Sequence, residues 1–419
     1  MSVPTASNKP KERDCWQFLQ LLTSSRRYQY QIFILQTVLH VSFLVQPLRL
    51  FAKKKAVIMA PIPLSVKVAV LDDYAKTAPE HFDSLSNVSV TYIPDTTPLP
   101  YNDERIKAQA ARLKDFTVIC TMRERTPFPR ALLSQLPNLK VLTTTGMKNA
   151  SIDIAACEDL GITVTGTGGK PNSKKGYDAT NEQTWALITG LAKGVFPGHD
   201  AVTKTSNGWS SGTSMSLAGK TLGLLGLGRL GAQCGFTGYL GFGMDVLCWS
   251  SSLTQEKADD AAAERGIGKG IFKVAASKEE LFEKADVLSV HYVLSDRSRG
   301  IVGKDELVKM KKGAIIVNTS RGPLIDEQAL LSTLKEGKIR GAALDVFDIE
   351  PLPADSEWRT VKWGQDGKSD VLISPHMGYV EDETMNSWYY QTAQNVERWL
   401  KGEEVRAKLT ASANSKYAL

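Results

Sequence analysis

The sequence predicts an α/β fold of two domains, each a parallel sheet covered by helices on both faces. Length and composition are the first ground: 419 residues at 42% hydrophobic and 23% charged exceed one ordinary core and are too apolar for disorder. The second is the alternation of short β-branched runs with helical patterns from Val66 onward, the pattern of parallel sheets. The third is a break at residues 166–179, rich in Gly, Pro, Lys and Ser and without hydrophobic period, between two such series.

Composition also excludes. The 33 Gly and 18 Pro follow no triplet period and no segment repeats at solenoid spacing, so fibrous and repeat architectures drop out. Five scattered Cys form no C-x-x-C pair and no two of the five His stand at ligand spacing. A reducing compartment with no disulfide framework and no metal site is expected. Residues 1–55 hold nine Lys or Arg against Glu12 and Asp14, a surplus of seven that exceeds the whole chain's +6 and leaves the rest at −1. Nucleic-acid binding by the folded body therefore lacks an electrostatic footing.

Residues 1–58 read as a leader, disordered or targeting. The 21 uncharged positions from 28 to 48, interrupted by four Gln and Pro47, are marginal for a spanning helix, so a membrane is not an expected partner. A basic, acid-poor, amphipathic start suits a mitochondrial presequence; without that role the protein is expected in the cytoplasm.

The body begins with strands at Val66–Leu71, Val88–Ile93, Phe116–Cys120, Leu139–Thr144 and Ile162–Val164, with helical stretches at Asn102–Lys114 and Ser151–Leu160. After the break comes an amphipathic helix, Thr180–Leu191, then a second α/β series from Lys220 to about Pro375. A last helix runs from about Glu381 to Leu400. If that helix packs back on the first series, the second domain is an insertion. The boundaries are then 59–179 for the first part of one domain, 180–377 for the inserted one, and 378–419 for the returning segment.

Thr221–Leu225 leads into Gly226-Leu227-Gly228-Arg229-Leu230-Gly231, and Met244–Trp249 forms the next strand. A G-x-G-x-x-G loop between strand and helix is a dinucleotide fingerprint. Gly226 makes the tight turn, Gly228 admits the pyrophosphate, Gly231 packs helix on strand, and helix-start amides face the phosphates. Gly235, Gly238, Gly241 and Gly243 follow within the helix; at about 1 kcal/mol each relative to Ala they predict a frayed or broken helix. Ser250 stands where an acidic residue would hold the ribose 2′-hydroxyl. NAD is the expected cofactor, and NADP stays open.

Three polar residues follow three successive strands. Arg321 follows Ala314–Thr319 and offers a planar fork for a carboxylate. Glu350 follows Gly341–Phe347 and precedes Pro351. His376 follows Val371–Ser374. An anion clamp, a carboxylate that raises an imidazole pKa, and a proton donor near neutrality suit carbonyl reduction.

With these four motifs in place, residues 66 to about 400 resemble the D-isomer-specific 2-hydroxyacid dehydrogenases, which include phosphoglycerate dehydrogenases and glyoxylate or hydroxypyruvate reductases. The resemblance rests on Gly226–Gly231, Val317–Gly322, Ala343–Phe347 with Glu350-Pro351, and Ser374–Gly378. It implies a Rossmann-type cofactor domain inserted into a flavodoxin-like substrate domain. It further implies a small 2-keto or 2-hydroxy acid as substrate, His376 as acid and base, Glu350 as its partner and Arg321 as the carboxylate clamp. Gly146, Met147, Lys148 and Asn149 match its substrate loop. Arg229, Leu230, Ser250, Thr319, Arg321, Asp345 and Gly378 match cofactor positions, and a homodimer is implied. The segment from Gly169 to Glu182 looks longer than the family pattern. A cofactor-sensing, corepressor-like binding protein of the same fold is the competing reading; the intact Arg321, Glu350 and His376 favour an enzyme.

Overall fold

A computed structural model describes residues 65–94, 102–168, 178–204 and 212–412. The leader, and most of the Gly169–Glu182 segment, lie outside the described residues. Among the described residues no helix is long and apolar enough to cross a membrane.

Five parallel strands form the first sheet: β1 (Val66–Leu71), β2 (Val88–Ile93), β3 (Val118–Thr121), β4 (Val141–Thr144) and β5 (Thr163–Thr165), in the order β2-β1-β3-β4-β5. That is the flavodoxin-like order. β3 and β4 are buried along their whole length, whereas edge strand β2 alternates half-buried and exposed positions, as an edge facing solvent should.

The second sheet comprises β6 (Thr221–Leu225), β7 (Asp245–Trp249), β8 (Phe272–Val274), β9 (Val287–Val290), β10 (Ile315–Asn318), β11 (Gly341–Leu344) and β12 (Asp370–Ile373). All are parallel, in the order β12-β11-β10-β9-β6-β7-β8. The strand order reverses beside β6, the doubly wound arrangement whose crevice accepts dinucleotides. Periodicity does not single out β8 and β9, because runs of three and four residues carry too little of it.

The helix Ala179–Ala192 covers the second sheet. It buries Trp185, Leu187, Ile188 and Leu191 against Leu222, Leu224 and Val246. The helix Asp382–Leu400 goes the other way. Its Met385, Trp388, Tyr389, Ala393 and Val396 join Val66, Val68, Val70 and Phe82 under the first sheet. The Leu409 amide then donates to the Val164 carbonyl at 2.9 Å. The chain thus leaves the first sheet, builds the second and returns.

One expectation is corrected. The glycine-rich helix is unbroken from Arg229 to Phe242, ending on Gly243 in the left-handed region. A Cβ on Gly235 would stand 3.0 Å from Leu224 and Phe272, and one on Gly238 2.6 Å from Leu222 and 3.2 Å from Trp185. Missing side chains let helix and sheet approach, and the close packing offsets the weak propensity. A second difference is smaller: β11 stops at Leu344, short of Phe347. The Phe347 amide donates instead to Glu350 Oε1 at 2.9 Å, which turns the chain back on itself.

Candidate active site

The glycine loop is a cradle. Gly226 has φ +101°, and a Cβ there would lie 2.6 Å from the His291 carbonyl oxygen. A Cβ on Gly231 would lie 2.2 Å from the Gly226 carbonyl. Gly228 is exposed, with nothing within 4 Å of its Cβ position, and it caps the helix start. Two glycines close the turn and the third leaves room for a phosphate beside the amides. These residues fit a dinucleotide. Arg229 is exposed, and its Nη1 donates to Asp178 Oδ2 at 2.5 Å; Leu230 is half-buried. Ser250 follows β7 directly, and Lys257 Nζ donates to the neighbouring Ser252 carbonyl at 3.0 Å. A cation therefore stands at the turn that follows β7.

His291 lies under this loop and was not singled out by sequence. Its Nε2 pairs with Ser289 Oγ at 2.9 Å. Its Nδ1 is buried without a hydrogen-bond partner. Burial pushes the imidazole down to about 4. The folded protein keeps it neutral while the unfolded chain, with an ordinary pKa of about 6.5, takes up a proton. Stability should fall as pH drops from about 6.5 toward 4, by on the order of 2 kcal/mol because the residue keeps some exposure. Melting curves across that window check it: His291→Asn should flatten the slope, and an unchanged slope would assign it to other groups.

Arg321, Glu350 and His376 follow the adjacent strands β10, β11 and β12 at their carboxyl ends. His376 Nδ1 lies 2.6 Å from Glu350 Oε2. Burial alone would raise the Glu350 carboxyl. The hydrogen bond and charge of His376, the Phe347 amide and Arg125 outweigh it, holding the group below the usual carboxylate range. Glu350 is therefore an anion beside the imidazole.

His376 sits at φ +56°, a strained conformation for a residue with a Cβ. Asp345 holds it there. The Met377 and Gly378 amides donate to its two carboxylate oxygens at 2.8 Å each, and Ser374 Oγ at 2.5 Å. Burial lifts this carboxyl above its usual range against those three donors. Asp345 and Gly378, expected as cofactor contacts, also build the histidine loop through both Asp345 oxygens and the Gly378 amide. Thr319 Oγ1 likewise pairs with Thr184 Oγ1 at 2.7 Å.

The loop expected to meet substrate, Gly146 to Asn149, is held by its own hydrogen bonds. The Gly146 amide donates to Thr167 Oγ1 at 2.7 Å. Asn149 is buried. Its Nδ2 donates to the Arg123 carbonyl at 2.5 Å and to Thr144 Oγ1 at 2.9 Å, while its Oδ1 accepts from Ser151. These two residues shape the loop, and Met147 and Lys148 are its exposed members.

Sequence reasoning missed the residues that face this centre from the first sheet. Arg123, Glu124 and Arg125 follow β3, at the same carboxyl-end position that singled out Arg321; that rule, applied to β3, would have found them. Arg321 Nη2 lies 3.9 Å from Glu124 Oε1. Arg125 stacks 4.3 Å over the Tyr74 ring and its Nε donates to the Tyr379 hydroxyl at 3.4 Å. Tyr379 meets His376 edge-on at 5.7 Å. The loop after β3 and the histidine loop thus touch through Tyr379.

A histidine–carboxylate pair at the strand ends of the same parallel sheet that carries a dinucleotide cradle fits an NAD-dependent oxidoreductase of the doubly wound α/β class. Residues 185–378 match the family model for the D-isomer specific 2-hydroxyacid dehydrogenase, NAD binding domain. Glyoxylate reductase of Aeropyrum pernix is 34% identical over 279 residues, 65% of this chain and 76% of that protein. D-3-phosphoglycerate dehydrogenase of Methanocaldococcus jannaschii is 31% identical over 70% of this chain and 51% of that protein, so the chain spans about half that enzyme's length. The crystal structure of phosphoglycerate oxidoreductase from Vibrio cholerae matches with a TM-score of 0.67 and 34% identity, covering 80% of this chain and 99% of that one. The chain belongs to the D-isomer-specific 2-hydroxyacid dehydrogenase family. Relatives named as enzymes do not favour the corepressor-like reading.

Proposed function

We propose that this enzyme interconverts a small 2-keto acid and its D-2-hydroxy acid, with His376 as general acid and base. The observation that carries the reading is the 2.6 Å contact between His376 Nδ1 and Glu350 Oε2 at the ends of neighbouring strands. With Nδ1 held by an anion, Nε2 is the nitrogen left to give a proton to a carbonyl oxygen and to take it back in reverse. Arg321 binds the substrate carboxylate, aided by the loop at Met147 and Lys148. Bound at the Gly226–Gly231 cradle, NADH supplies the hydride that reduces the carbonyl carbon.

Domain boundaries at 59–179, 180–377 and 378–419 are supported by the packing of helix Ala179–Ala192 on the second sheet and of helix Asp382–Leu400 on the first. A homodimer is supported by the helix Val195–Lys204, which buries none of its residues and exposes Val195, Phe196 and Val202. Cytoplasmic placement is inferred for the body, and a mitochondrial address would have to come from residues 1–58.

The test is NADH oxidation with glyoxylate, hydroxypyruvate and bulkier 2-keto acids. Turnover is expected with at least one small keto acid. NADPH should serve as well, because Ser250 presents no carboxylate to a 2′-phosphate. Binding of NADH without oxidation by any of the panel would overturn the reading in favour of a sensor.

A further inference from the structure

Glu124 places a carboxylate inside the field of the clamp. Its Oε1 lies 3.9 Å from Arg321 Nη2, and its Oε2 lies 3.5 Å from Arg123 Nε. Both separations exceed the roughly 2.7–2.9 Å of a charge-assisted hydrogen bond. Glu124 therefore neutralises two guanidiniums without being locked to either. Its side chain is 31% exposed and that of Arg321 43%, so an incoming anion can reach the space between them. Arg321 is anchored on its other side, where Nη1 donates to the Ser320 carbonyl at 2.7 Å. Arg125 is held elsewhere, over Tyr74 and against Tyr379.

We propose that Glu124 is a specificity determinant, an internal carboxylate that the substrate's carboxylate must displace from Arg321 and that restricts the site to keto acids with a single negative charge. The proposal rests on the reading that Arg321 binds the substrate carboxylate. While Glu124 stays, it competes for Arg321. Once displaced, it still cancels Arg123, a second guanidinium on this side of the histidine loop, 6.0 Å from the Tyr379 ring. A dianion therefore meets both an unpaired negative charge and the loss of a cation, whereas a monoanion meets only the competition.

Oxamate and oxalate separate these effects, because they have nearly the same size and differ by one charge. With the full chain, Glu124→Gln should lower the KM for glyoxylate and the Ki of oxamate roughly three- to sixfold, the scale of a partly exposed charge pair near 4 Å. The Ki of oxalate should fall by more, roughly tenfold or beyond. Glu124→Asp keeps the charge and should retain the wild-type ratio of the two Ki values. Unchanged or raised constants in Glu124→Gln, or equal falls for oxamate and oxalate, would overturn the proposal. The reading beneath it fails separately: Arg321→Lys would then leave the glyoxylate KM unaltered whatever Glu124 does.

Discussion

His376→Ala should lower kcat at least a hundredfold, the usual scale for loss of a general acid, while the KM for NADH stays within about twofold. The imidazole meets Glu350 on one side and the Tyr379 ring on the other. The glycine cradle is built from a different segment, the loop after β6. Removing the ring deletes proton transfer and leaves the nucleotide site standing. Steady-state kinetics with separate titration of keto acid and NADH distinguish the two effects. Turnover at the wild-type rate would take His376 out of the mechanism. A parallel loss of NADH affinity would mean that the ring supports the cradle.

Arg321→Lys should raise the KM for keto acid by about tenfold or more, with a smaller change in kcat. An ammonium cannot reproduce the two parallel donors that a guanidinium offers to a carboxylate. Lys is also shorter at its functional end, so the Ser320 carbonyl that accepts from Nη1 loses its partner. NADH binding, titrated separately, tells loss of the carboxylate clamp from loss of the cofactor contact also expected of Arg321. An unaltered keto-acid KM would reduce Arg321 to a loop cap.

Much of the fold was legible because its signals are local. Runs such as Val66–Leu71 and Thr221–Leu225 are strands in both readings, since short β-branched or aliphatic segments between breakers have few other options. The helix Val195–Lys204 was not foreseen, and it carries Pro197 and Gly198, two residues of poor helix propensity. The error over Gly235 and Gly238 has one physical source. Propensity prices a glycine in isolation, whereas here each vacancy is filled by Leu222, Leu224, Phe272 or Trp185 from other elements.

Sequence by itself determined the parts that depend on spacing along the chain. These are the alternation that makes parallel sheets, the glycine loop, and the placing of Arg321, Glu350 and His376 after three consecutive strands. Tertiary structure alone decided which partners these groups meet within the chain. Asp345 and Gly378 are taken up in holding His376, Gly146 and Asn149 in holding their own loop, and Glu124 lies beside Arg321 from a strand end nearly two hundred residues earlier. The reason is that a hydrogen bond or ion pair is set by distance in space. Nothing in local periodicity records which distant backbone amide or guanidinium a side chain will meet once two sheets are folded around one cleft.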